Sequence, residues 1–128
     1  MKETISLHFH HIEAERLIRV DASGRVDLAA TLKMAHDISA FRDGDGAQLP
    51  VLLDAHSLQG RLTIVDIVEL VKTLTADAAR YKRKLALLVR NDDQQERARF
   101  LHLYSRNRGI PIDAFTDYET AVKWLRTP

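Results

Sequence analysis

Apolar Ile5, Leu7 and Phe9 alternate with polar Ser6, His8 and His10 near the start of the chain. A period of two places each kind on its own face, so residues 4–10 are predicted as a half-buried β-strand. Residues 16–21 read as a second strand. Residues 11–15 between them are too few for a crossover, so the two strands pair antiparallel. Ala22-Ser23-Gly24-Arg25 is predicted as the turn that follows.

The period then changes. Asp27 stands as N-cap to a helix running to about Phe41, with Leu28, Leu32, Ala35 and Ile38 on one face. Two glycines in residues 42–49 end it. Pro50 opens the apolar run Val51-Leu52-Leu53, closed by Asp54, which reads as a short strand buried on both faces. Residues 55–62 are predicted as a loop. Thr63 with Asp66 three positions on is a capping-box variant, opening a helix with Ile64, Ile67, Val68, Val71 and Leu74 at helical spacing to about Arg80. Leu85-Ala86-Leu87-Leu88-Val89 is another buried strand. Asp92 or Asp93 caps a third helix carrying Ala98, Leu101 and Tyr104, and Asn107-Arg108-Gly109 is a left-handed stop signal. Residues 110–115 form the last strand. Asp117 caps a closing helix with Tyr118, Ala121, Val122 and Leu125 along one face and Trp124 beside it as core anchor.

Strands alternating with helices need crossovers, which are right-handed and leave the strands parallel. The expected fold is α/β: one layered domain at residues 1–128, with a mostly parallel sheet of about five strands, an antiparallel N-terminal strand and about four helices.

Composition narrows the chemistry. There is no cysteine, which excludes disulfides, thiolate nucleophiles and Cys-based zinc sites. Lys plus Arg is 19 against 18 for Asp plus Glu, and a net charge of +1 gives no global case for nucleic acid. No apolar run is long enough for stable membrane insertion, and the expected location is the cytoplasm. No Gly-rich phosphate motif occurs.

The local charge features have plain structural readings. Asp54, Asp66, Asp92, Asp93 and Asp117 are all expected along the edge where strands end and helices begin, the usual ligand edge of a parallel sheet. Carboxylates there offset helix dipoles at about 0.3–1 kcal/mol each. A receiver-type Mg²⁺ site would need an acidic pair after the first strand and a lysine after the last; His10-His11 and Thr116-Asp117 stand there instead. Arg80-Tyr81-Lys82-Arg83-Lys84, with Arg106 and Arg108, are expected at helix C-termini along the opposite edge. His8, His10 and His11 offer two nitrogens about 7 Å apart on a strand face but no third ligand, so they read as an exposed polar face. Asp54, His56 and Ser57 carry the side-chain types of a hydrolase triad but fall within four residues, where a triad needs separate elements.

The ordered set Ser23-Gly24-Arg25-Val26-Asp27, Pro50-Val51-Leu52-Leu53-Asp54, the 58–66 segment, Leu85–Val89 and the 115–125 ending resembles the STAS, or SpoIIAA-like, anti-sigma-factor-antagonist domains. The resemblance is to an uncharacterised branch grouped with lipid-binding SEC14-like domains, and it covers nearly the whole chain. It implies a regulatory or binding module rather than a catalyst, with no cofactor. The sporulation-type antagonists carry a phosphorylated serine in Asp-Ser-Ser-Gly; this chain reads Arg61-Leu62-Thr63-Ile64-Val65-Asp66, leaving Thr63 as the one hydroxyl at the matching helix start. The expected function is therefore a non-enzymatic module that engages a protein partner through the polar 54–66 segment, with Asp54, Ser57, Gln59 and Thr63 as binding residues. The alternative is a small apolar or lipid-like ligand. A phospho-switch at Thr63 ranks below both, Ser57 phosphorylation stays open, and pairing into a homodimer through a sheet edge is open as well.

Overall fold

The computed structural model describes residues 5–41, 49–60, 62–76, 83–90 and 93–127. Five strands lie in the order in which they occur: β1 (Ser6–Ile12), β2 (Leu17–Arg25), β3 (Val51–Gln59), β4 (Leu85–Leu88) and β5 (Ile112–Phe115). β1 pairs antiparallel with β2, and every other pairing is parallel. Four helices follow the expected places: α1 (Leu28–Ala40), α2 (Ile64–Ala76), α3 (Asp93–Arg106) and α4 (Tyr118–Leu125). The expected α/β architecture is what forms.

Sequential strand order with right-handed crossovers sends every connecting helix to the same side. Ile18, Val20, Val51 and Leu53 accordingly pack with Met34 and Ile38 of α1 and Ala98 of α3, while Ile112 joins the α2 residues Ile67, Leu70, Val71 and Leu74. Alternate strand residues Leu17, Leu52, Ala86 and Leu88 face the other way and meet Ala121, Val122 and Leu125 of α4. One short helix cannot cover that second face, which stays polar toward β1. Among the described residues no helix is long and apolar enough to cross a membrane.

The caps are as the sequence predicts. Asp27 Oδ1 accepts from the Ala30 N–H at 2.7 Å, a cap contributing about 0.5–2 kcal/mol. Thr63 and Asp66 exchange reciprocal bonds: Asp66 N–H donates to Thr63 Oγ1 at 3.0 Å, and Thr63 N–H to Asp66 Oδ2 at 3.1 Å. Asp117 Oδ2 accepts from the Thr120 hydroxyl and from its N–H, which holds that carboxyl below its ordinary range. Gly109, at φ 75°, lets Ile110 N–H reach back to Ser105 O and close α3.

Four expectations need correction. Residues 22–25 are not a turn but the end of β2. Residues 55–59 of the predicted loop continue β3. The cause of both is a β-bulge: Asp21 pairs with Asp54 and Ser23 with Ser57, so Ala22 on β2 faces two residues, Ala55 and His56, on β3. The bulge resets the alternation, burying Ala55 and Leu58 three positions apart and exposing His56 and Ser57 between them. The last strand begins at Ile112, two residues later than expected. On α1 the buried residues are Thr31, Met34, Ile38 and Ser39, with Leu28, Leu32 and Ala35 half-buried against the α2 cluster, because this helix divides its apolar stripe between the sheet and a neighbouring helix. The expected break over residues 42–48, the extension of α2 toward Arg80, Arg80–Lys82 of the basic run and the Asp92 cap lie outside the described residues.

Candidate functional site

β4 stops at Leu88, while β2 and β3 run on to Arg25 and Gln59. Past that point one side of β3 has no strand beside it, and side chains take over. Gln94 at the start of α3 accepts from Arg90 N–H at 2.7 Å and donates to Ala55 O at 2.8 Å. Arg90 Nη1 donates to His56 O and Leu58 O. Two side chains thus satisfy carbonyls that a longer β4 would have paired, and they keep the β3 extension in place.

Between that extension and the three-helix layer lies a cavity of about 620 Å³, within the 300–1,000 Å³ range of ligand pockets. Its sheet wall is Leu53, Ala55, Leu58, Leu87 and Val89; α1 contributes Thr31 and Met34, and α2 Ile67 and Leu70. α3 adds Ala98 and Leu101, together with Gln94 and Arg97, and Arg90 completes the polar arc. No carboxylate lines it among the described residues. Gly60 and Leu62 close the lower rim; Gly60 sits at φ 77°, where the chain leaves β3 and Arg25 packs over it.

The residues marked out by sequence lie outside the cavity. Ser57, Gln59 and Thr63 are exposed along the same segment whose Leu58, Gly60 and Leu62 line the cavity. Asp54 stands on the same face as Ser57 and Gln59, since their β2 partners Asp21, Ser23 and Arg25 alternate on one side. It shares the parity of Leu52, lies on the face that carries α4, and accepts from Arg19 Nη2 at 3.0 Å and from His56 N–H at 3.0 Å. Arg19 also donates from Nε to Asp21 Oδ1 at 2.9 Å, and this bond leads the causes that hold the guanidinium in its charged form. His10 Nε2 lies 3.3 Å from Asp21 Oδ2, so a chain of polar side chains crosses β1, β2 and β3 on the open face.

Of the triad types, His56 Nδ1 and Asp54 Oδ1 pair at 2.8 Å, but Ser57 is hydrogen-bonded to neither and the pair stands on exposed surface. The Thr63 hydroxyl is engaged in the α2 cap with the Asp66 carboxylate alongside. Among the described residues no three acidic or histidine side chains group to hold a metal ion, and Asp54, Asp66 and Asp117 line no part of the cavity. Asp66 and Asp117 stand at helix starts as expected, Asp92 and the side chain of Asp93 lie outside the described residues, and the charged side chains that line the cavity are Arg90 and Arg97 among the described residues.

Of the expected cation caps, Arg83 and Lys84 do meet helix C-termini, but those of α1 and α4 rather than of the helix before them. Arg83 Nη1 donates to Ile38 O at the end of α1, and Lys84 Nζ donates to Trp124 O and Thr127 O at the end of α4 while lying 4.4 Å over the Trp124 ring. Arg108 stacks 3.8 Å from the Tyr104 ring centroid. Sequence reasoning passed over Arg90, Gln94 and Arg97. Their signal was a polar residue ending an apolar strand, followed at spacings of four and three by two more on one helix face.

No protein-family model matches this chain, and no curated protein matches it. Two solved structures share its fold. An uncharacterised protein with a SpoIIAA-like fold from Shewanella loihica aligns over 98% of this chain and 96% of its own, with TM-score 0.56 and 17% identity. An anti-sigma factor antagonist from Mycobacterium paratuberculosis aligns over 97% and 96%, with TM-score 0.58 and 17% identity. At that identity the likeness is one of fold, and the fold is the SpoIIAA-like one.

Proposed function

We propose that this protein is a non-enzymatic binding module whose ligand is a small apolar or lipid-like molecule held in the cavity beside β3. The cavity carries the reading: its volume suits a drug-sized molecule, its walls are aliphatic, and its polar groups are confined to one arc. Its place fits as well, since parallel sheets bind ligands beyond the carboxyl ends of their strands. Native mass spectrometry of protein purified without denaturant is the test. A species heavier than the 14.6 kDa chain by one small apolar molecule is expected, lost on organic extraction. A bare mass, together with no binding of an added aliphatic probe, rejects the reading.

A second role is supported by the alternation along residues 57–63. Leu58, Gly60 and Leu62 line the cavity, whereas Ser57, Gln59 and Thr63 are exposed on the same segment. A protein partner docked on the exposed residues would touch a strand whose other side contacts the ligand. The anti-sigma factor antagonist of the same fold supports a regulatory use of that surface. Gln59→Arg and Thr63→Arg are expected to abolish recovery of the partner in affinity purification at native expression, leaving ligand mass unchanged. Unaltered recovery in both variants assigns the partner surface elsewhere.

A further inference from the structure

We infer that the cavity takes an anionic amphiphile, its aliphatic chain among the leucines and its carboxylate or phosphate head on Arg97. This inference rests on the ligand-binding reading of the cavity. Arg97 is half-buried on α3, lines the cavity, and has no hydrogen-bond or ion-pair partner among the described residues. Its neighbour Arg90 differs, since its guanidinium is spent on His56 O and Leu58 O.

A guanidinium set against apolar walls without a counter-charge loses hydration and gains nothing in return. No carboxylate lines the cavity among the described residues, so the complementary charge comes from the ligand. Carboxylate and phosphate monoester heads both match the planar fork of Arg in bidentate fashion. Thr31 is no competing anchor: it is 8% exposed, and its Oγ1 is shut inside the protein.

Isothermal titration calorimetry with decanoate, decyl phosphate and 1-decanol, each below its self-association limit, tests this on the full chain. Both anions are expected to bind the wild type about tenfold more tightly than the alcohol, a margin that shrinks as salt is raised. Whichever anion binds tighter identifies the head group. Arg97→Gln is expected to remove most of that margin, bringing anions and alcohol to within about twofold of one another in the variant. Arg97 is half-buried with no partner among the described residues, and a matching thermal midpoint verifies that the variant folds. Equal affinity of the wild type for anion and alcohol, or a margin that survives the substitution, overturns the inference while leaving an apolar site standing. Failure of all three probes to bind removes the apolar site itself.

Discussion

Replacing Leu52 by alanine is expected to destabilise the protein by about 3–5 kcal/mol, whereas the same change one residue on, at Leu53, costs about half as much. The two side chains leave β3 in opposite directions. Leu52 is fully buried among Leu17, Ala86 and Leu88 and the α4 residues Ala121, Val122 and Leu125, and lines no part of the cavity. Leu53 is 2% exposed, yet part of its surface borders the cavity, so its deletion forfeits fewer dispersion contacts. Total stabilities of small domains are about 5–15 kcal/mol, so the Leu52 variant sits near the edge of folding. Urea titration of the two variants decides the matter: a lower midpoint for Leu52→Ala at similar slope is expected. A reversed order would mean that the α4 face is the loosely packed one and that the cavity wall is close-packed.

The fold was legible because its signals are local. Alternation at Ile5, Leu7 and Phe9, the runs Val51–Leu53 and Leu85–Val89, and the acidic or hydroxyl caps at Asp27, Thr63 and Asp117 each act over a few residues, and each does in the structure what its chemistry predicts. The missed part of β3 has an equally definite cause. The bulge at Ala55 and His56 breaks the period-two pattern, so a strand reads as a polar loop, and the same shift turns residues 22–25 of β2 into an apparent turn.

The site was harder to read because it is assembled across distance. Thr31 and Met34, Leu53 to Leu58, Ile67 and Leu70, and Arg90 to Leu101 meet only after three crossovers. Their apolar members are indistinguishable in sequence from ordinary core. The exposed residues Ser57, Gln59 and Thr63 were found by polarity alone, while Arg97 was hidden in a helix whose other arginines face solvent. Reading the strand as ending at Asp54 also placed its carboxylate at the sheet edge, whereas the strand continues and turns it to the open face beside Arg19, the face that Ser57 and Gln59 share.

Ala98→Leu is expected to raise stability by about 1–2 kcal/mol while weakening an aliphatic probe at least tenfold. Ala98 is 8% exposed on α3 and borders the cavity, so a longer side chain there grows along the leucine walls. Leucine is nearly as good a helix former as alanine, and the added carbons leave water for an apolar surround at about 0.8 kcal/mol each, less the rotamer freedom lost. In a filled core the same substitution forces strain and costs about 1–3 kcal/mol, so the sign of the change reports whether the volume is truly open. Stability and binding moving in opposite directions is the signature of a site kept open for a guest, where filling the volume stabilises the fold at the cost of its function. Thermal unfolding and calorimetry on the one variant read both quantities. A destabilised variant that still binds decanol would place the guest elsewhere, and a stabilised one that binds as wild type would make the cavity a packing defect.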